Sequence, residues 1–194
     1  MIKIDQDNIS FEYSKRIYSK KNVCNAEDLI KLVSCDIMLY DEETYIETKI
    51  GSFMYRIIPT FEQYSNLYES LISIDQVSED ICFKLFEEKK GDYSLRNKYR
   101  NIEDNGAVIY FEEIEILKEY RGNGIAKLAF QTIDELIEYP VVLKAFPTQF
   151  NPSERENLSN ENNNFFHSLT KIIKAYKKCG FKEMGDDLLI KLPK

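Results

Sequence analysis

The spacing of apolar residues along the chain changes period several times, and each change marks an element. Ile2 to Tyr13 is strand-like and predicts an opening strand. Asn25-Ala26-Glu27-Asp28 before Leu29-Ile30-Lys31-Leu32-Val33 predicts a short capped helix. Residues 36–40 and 49–58 predict strands joined across the polar Asp41-Glu42-Glu43-Thr44, and Pro59 ends the second. Phe61 to Ser73 and Val77 to Lys89 predict helices, the second with Ile81, Cys82, Leu85 and Phe86 on one face. Residues 91–106 are polar and predict a loop. Ala107 to Leu117 predicts a strand. Ile125, Leu128, Ala129, Ile133, Leu136 and Ile137 then recur at helical spacing until Pro140 stops the pattern. Val141 to Phe146 predicts a buried strand. A long polar loop over 147–164 precedes a second amphipathic helix marked by Phe165, Phe166, Leu169, Ile172, Ile173 and Tyr176. Gly180 stands where a C-terminal glycine cap belongs. Residues 181–184 and 188–192 flank Gly185-Asp186-Asp187 as a closing hairpin.

A strand–helix–strand unit at the centre implies a parallel pair with a right-handed crossover. The closing hairpin implies antiparallel strands at one edge. The predicted fold is therefore α/β with α+β character: a central mixed, mostly antiparallel β-sheet flanked by helices, with a β–α–β–α core. No internal repeat or interdomain linker interrupts the 194 residues, so 1–194 reads as a single domain with 61–90 as a helical insertion.

Composition narrows the function classes. The chain is 43% hydrophobic and 30% charged, as in an ordinary soluble globular protein. No apolar run reaches the roughly 20 residues of a membrane span, and Met1 to Asp7 lacks the apolar core of a secretory signal. The formal net charge of −7 argues against nucleic-acid binding and is compatible with a cationic substrate. Cys24, Cys35, Cys82 and Cys179 are scattered, which fits reduced thiols in a cytoplasmic protein and no metal site. With His167 as the one histidine, chemistry built on histidine pairs is excluded, and no G-x-S-x-G turn supplies a nucleophilic serine.

Tyr120-Arg121-Gly122-Asn123-Gly124-Ile125-Ala126 carries the most specific chemistry. Two glycines flank one residue at the mouth of a helix, where backbone N–H groups and the helix dipole can hold an anion. Lys127 stands where a dinucleotide fingerprint has its third glycine, and the Gly-Lys-Ser/Thr of a nucleotide triphosphate loop is absent. A plain tight turn into a helix is the competing reading.

Ile114-x-Ile116-x-x-x-Tyr120-Arg121-Gly122-x-Gly124-Ile125-Ala126 resembles motif A of the GCN5-related N-acetyltransferases, and Ala175-Tyr176-Lys177-Lys178-Cys179-Gly180-Phe181 resembles that family's later motif. The resemblance covers roughly residues 106–185. It implies an acetyl-CoA site and transfer of the acetyl group to a primary amine. The backbone of Gly122, Asn123, Gly124, Ile125, Ala126 and Lys127 would hold the pyrophosphate, with the charge of Arg121 beside it. The backbone of Ile114, Glu115 and Ile116 would pair with the pantetheine amides. Tyr176 would protonate the leaving thiolate; its competing reading is a packed core aromatic. Glu112 is the favoured general base among Glu112, Glu113 and Glu115, each of which also reads as a solvated cleft wall. Strand alternation puts Glu112 with Tyr110 and Ile114, and Glu113 with Glu115 on the opposite face. Two positions depart from the family pattern: Lys144 replaces a fifth-strand glutamate, and Leu169 replaces an asparagine that contacts the coenzyme. The helices over 61–89 and the loop over 147–164 would shape the acceptor site. The alternative function is a GCN5-type fold that binds CoA or a protein partner without catalysis. Neither the acceptor nor the oligomeric state is fixed by the sequence.

Overall fold

The computed structural model describes residues 4–17, 31–59, 76–89, 92–96, 107–136, 139–146 and 163–193. A 3-10 turn at Gln6–Asn8 opens the described chain. Strands β1 (Ile9–Ile17), β2 (Lys31–Asp41) and β3 (Ile46–Pro59) follow, then helix α1 (Gln76–Leu85) and the short pair β4 (Phe86–Lys89) and β5 (Asp92–Leu95). Strand β6 (Ala107–Ile116), helix α2 (Ile125–Leu136), strand β7 (Val141–Lys144), helix α3 (Asn163–Lys178), and strands β8 (Lys182–Gly185) and β9 (Leu188–Lys191) complete it.

Among the described residues, seven strands form one sheet in the order β1-β2-β3-β6-β7-β9-β8, and β4 pairs with β5 in a second, two-stranded sheet. Among the described strands of this sheet, β6 and β7 pair in parallel and the other neighbours are antiparallel. This is the predicted mixed, mostly antiparallel sheet with flanking helices. Among the described residues no helix is long and apolar enough to cross a membrane.

The central strands are apolar on both sides because both faces are covered. On one face, Val33, Cys35, Ile37, Phe53, Tyr55, Ile109, Phe111, Val141 and Leu143 pack against Ile125, Ala129, Phe130 and Ile133 of α2 and Phe165 and Leu169 of α3. On the other, Ile58, Val108, Tyr110, Val142, Leu188 and Ile190 pack against Ile81, Cys82 and Leu85 of α1. Aromatic rings bridge the first core: Phe53 to Phe111 at 5.8 Å, Phe111 to Phe130 at 4.7 Å, and Phe130 to Phe181 at 5.0 Å.

Two register shifts position the site. Between β3 and β6, Tyr55 faces Phe111 and Met54 faces Glu113, so Glu112 is an extra residue in β6. The bulge reverses the phase of the strand. Ile109 and Phe111 face the α2–α3 core before it, and Ile114 and Ile116 face the same core after it. The expected grouping of Glu112 with Ile114 is thus corrected: Ile114 points to the helical core, away from Tyr110, and regular alternation would have buried Glu113 and Glu115 there. Between β2 and β3, Ile37 faces Gly51 and Met38 faces Lys49, making Ile50 the extra residue.

Other expectations are also revised. The first strand begins at Ile9, because Gln6–Asn8 form a 3-10 turn. Lys31, Leu32 and Val33 belong to β2 and not to a helix; cross-strand pairing with β3 outweighs their helical context. The predicted helix over 77–89 ends at Leu85, and Phe86–Lys89 turns back as β4 against part of the predicted 91–106 loop. The helix expected over 61–73 and residues 147–162 of the loop expected over 147–164 lie outside the described residues, while Asn163 and Asn164 open α3 instead of ending that loop.

Gly51 permits the close approach of β3 to β6. A Cβ there would collide with the Glu115 carbonyl oxygen. Gly51→Ala is expected to lower unfolding free energy by about 1–3 kcal/mol, the usual cost of overpacking, measured from the urea midpoint. A second prediction concerns pH. Burial pushes the Cys35 and Cys82 thiols and the Tyr55 hydroxyl up to about 12. These groups hold protons more tightly folded than unfolded, so their contribution is complete below the ordinary thiol range and is lost as pH rises towards 12. The melting temperature is expected to fall steadily once pH passes about 9.

Candidate functional site

The site is built where two parallel strands separate. β6 and β7 pair only at Ile109–Val141, Tyr110–Val142 and Phe111–Leu143. β7 ends at Lys144, while β6 continues to Ile116 paired with β3 on its other edge. Among the described residues, the β7-side edge of Glu113 to Ile116 has no ladder partner. An extended, amide-bearing ligand can pair with such an edge as an added strand does. The bulge at Glu112 falls at the point of separation.

Downstream, a 3-10 turn at Lys118–Tyr120 leads into the glycine turn and α2. Gly122 and Gly124 both adopt positive φ, 85° and 78°, which a side chain would strain. The first amides of any α-helix lack intrahelical partners, and the first turn of α2 contains no acidic residue to compete for them. Ile125 is buried and fixes the helix mouth to the core, whereas Lys127 is exposed. Asn123 braces the turn: its Nδ2 donates to the Tyr120 carbonyl at 2.9 Å, and its own carbonyl accepts from Gln6 Nε2 at 2.9 Å. Arg121 is exposed, and its Nε donates to the Ile116 carbonyl at 2.7 Å. This residue, expected beside a phosphate, thus ties the turn to the end of β6. The Ile116 carbonyl is correspondingly engaged.

Tyr176 lies in the last turn of α3 with a clear structural duty. Phe181 N–H donates to its carbonyl at 3.2 Å and Gly180 N–H donates to the Lys177 carbonyl at 3.1 Å, with Gly180 at a φ of 95°. This is a Schellman cap, and the Tyr176–Phe181 ring contact at 5.8 Å is its usual hydrophobic companion. The Tyr176 ring also meets Phe130 edge-on at 5.7 Å, and Phe130 packs on Phe111, the last β6 residue paired with β7. The cap therefore sets Tyr176 two rings from the strand separation. Burial, with a smaller effect from Cys179, pushes its hydroxyl up to about 12, so it stays protonated throughout the physiological range.

The opposite face carries the charged groups. Arg56 Nε donates to Glu112 Oε1, with side-chain exposures of 25% and 13%. Lys144, its side chain 10% exposed, pairs through Nζ with Asp80 of α1. Glu113 and Glu115 are exposed. A groove of about 470 Å³ runs beside Asp80, lined by Phe83, Lys84, Arg96, Met184 and Asp186. Lys84 pairs with Asp186 at 2.5 Å and, by that hydrogen bond, holds its carboxyl below the ordinary range. Of this lining, only α1 residues lie within the 61–89 segment expected to shape an acceptor site; Arg96, Met184 and Asp186 do not. They lie on a polar stretch and on a hairpin with no local signal of a shared cavity. Leu169 is buried in the core, and His167 is exposed on α3.

No family model matches the chain, and no curated protein matches it in sequence. Among solved structures it is similar to the crystal structure of Arabidopsis thaliana NAA60 in complex with acetyl-CoA. The likeness has 14% identity and a TM-score of 0.40, and covers 82% of this chain and 76% of that one. At that identity and score, it transfers neither a site nor an activity.

The glycine turn gives a direct prediction. A Cβ on Gly124 would lie 3.0 Å from Gln6 Nε2 at a φ that already disfavours it. Inorganic pyrophosphate at tenfold its Kd is expected to stabilise the wild-type chain by about 1.4 kcal/mol in thermal melts. Gly124→Ala is expected to lose that response.

Proposed function

We propose that this chain is an acetyl-CoA-dependent N-acyltransferase of the GCN5-related type, passing an acetyl group to a primary amine by direct attack in a ternary complex. The observation that carries this reading is one juxtaposition. β6 runs on past the end of β7 and feeds directly into a two-glycine turn at a helix N-terminus. A ligand joining an extended amide-bearing arm to a pyrophosphate fits both parts, and the arm of CoA has that form.

In this reading the backbone from Gly122 to Lys127 holds the pyrophosphate, and Ile114, Glu115 and Ile116 face the pantetheine arm. Arg121 keeps the turn and the strand end in register. The neutral amine nitrogen attacks the thioester carbonyl carbon, the C–S bond breaks as the thiolate takes a proton from Tyr176, and the tyrosinate regains a proton from the acylated nitrogen as that becomes the amide. The attacking ammonium must first lose a proton, and Glu112 is the proposed acceptor. It sits in the bulge next to the last parallel pair, and an entering cation would compete with Arg56 for its carboxylate. Holding both reactants in one cleft supplies much of the rate. The acceptor is proposed to approach from the α1 side, along the groove beside Asp80. The buried thiols of Cys35 and Cys82, neither in a disulfide, support a cytoplasmic setting.

The engaged states of Glu112 and Lys144 and the burial of Leu169 favour a second reading, a CoA-binding protein without turnover. Release of CoA thiol with a panel of primary amines decides between them. An enzyme releases thiol with at least one amine; a binding protein gains thermal stability with acetyl-CoA and releases none.

Tyr176→Phe is expected to lower kcat by about 100-fold or more. The same variant should bind acetyl-CoA with near wild-type affinity, because the ring and its cap contacts persist. Glu112→Gln is expected to lower kcat/KM by about 100-fold at neutral pH. That deficit should narrow as pH rises towards the amine's own pKa of about 10.4, where the nucleophile no longer needs a base. A deficit independent of pH would remove Glu112 from the role.

A further inference from the structure

Gln6 reaches the glycine turn from the other end of the chain, through a hydrogen bond that spans 117 positions of sequence. It is held there firmly. Ile4 and Ile9, on either side of it, pack against the core that α2 covers. Asp5 caps the 3-10 turn between them by accepting from Asp7 N–H at 3.1 Å. From this anchored turn, Gln6 Nε2 donates to the Asn123 carbonyl.

The consequence follows from peptide geometry. In a planar trans peptide the C=O and N–H point in opposite directions. The Asn123 carbonyl shares its peptide plane with the Gly124 N–H. Drawing the carbonyl towards Gln6 therefore turns the Gly124 N–H to the opposite side of the turn. Gly124 allows this approach, since any Cβ there would crowd the same Gln6 nitrogen at 3.0 Å. The Asn123 side chain fixes the preceding part of the turn through Tyr120. With both bonds in place, the loop amides are oriented before a ligand arrives, which lowers the cost of ordering them on binding.

We propose that Gln6 is a positioning residue for the pyrophosphate loop, orienting the Gly124 amide through the Asn123 carbonyl. The inference rests on the acyl-CoA reading of that loop. A neutral amide suits this position. A carboxylate here could not donate to the carbonyl and would repel the phosphates. A lysine could donate and would add an attractive charge.

The test is calorimetric titration of the full chain and its variants with CoA. It is paired with turnover on acetyl-CoA and on acetyl-pantetheine, which lacks the pyrophosphate. Gln6→Ala is expected to weaken CoA binding by about 5- to 30-fold, the loss of one hydrogen bond to an ordered loop. Its kcat at saturating acetyl-CoA and its kcat/KM on acetyl-pantetheine should stay close to wild type. Gln6→Glu should bind CoA more weakly than Gln6→Ala, and Gln6→Lys should recover most of the affinity. Wild-type affinity in Gln6→Ala would overturn the inference and leave the function proposed above intact. Equal losses on acetyl-CoA and acetyl-pantetheine would also overturn it, by showing a general structural role. Failure of the wild-type chain to bind CoA would overturn the loop reading and the role of Gln6 together. CoA binding without thiol release from any amine would remove the catalytic reading while the affinity series still supports Gln6.

Discussion

One extra residue in β6 organises much of this molecule. The strand cannot run with a single phase, because regular alternation after Phe111 would drive Glu113 and Glu115 into the α2–α3 core. The bulge at Glu112 resolves the conflict by turning Ile114 and Ile116 inward. The same distortion lies next to the last parallel pair, Phe111–Leu143, where β7 stops following β6. It also turns Glu112 towards Arg56 on the opposite face. An apolar helical core, an open strand edge and a largely buried acid thus meet at one point. Gly51 lets β3 follow the altered path, since only a residue without a Cβ fits against the Glu115 carbonyl.

The second organising feature is the end of α3. Tyr176, Gly180 and Phe181 read from sequence as a functional motif, yet their spacing is also that of a Schellman cap and its hydrophobic contact. The two readings are compatible. The cap fixes the tyrosine ring against Phe130, and the aromatic line from Phe130 to Phe111 ties that ring to the point where the strands part. Burial keeps its hydroxyl protonated, and the capped helix end fixes the ring's place.

Elements with long, strong periodicity were legible from the chain itself: β6, α2, α3 and the β8–β9 hairpin lie close to their predicted positions. The phase slip was also present in the residues, since Phe111 and Ile114 stand three apart with two glutamates between them. Assuming uniform alternation hid it. Lys31-Leu32-Val33 misled because a local helical pattern lost to pairing with Tyr55, Arg56 and Ile57. Phe86–Lys89 misled because its apolar spacing continues that of α1 while the backbone reverses into a hairpin. The glycine turn was legible because positive φ has a compositional signature. Its brace was not, because nothing local to Gln6 announces a partner 117 residues away. The pairing of Lys144 with Asp80, 64 residues apart, was hidden for the same reason.

In the proposed function, the open edge of β6 and the glycine turn hold two parts of one ligand. Calorimetric titration of the wild-type chain with acetyl-CoA, beside acetyl-pantetheine and inorganic pyrophosphate separately, tests it most directly. Acetyl-CoA is expected to bind at one site per chain, far more tightly than either fragment, and each fragment is expected to compete with it. No binding of acetyl-CoA at millimolar concentration, or fragments that bind without competing, would contradict the proposal.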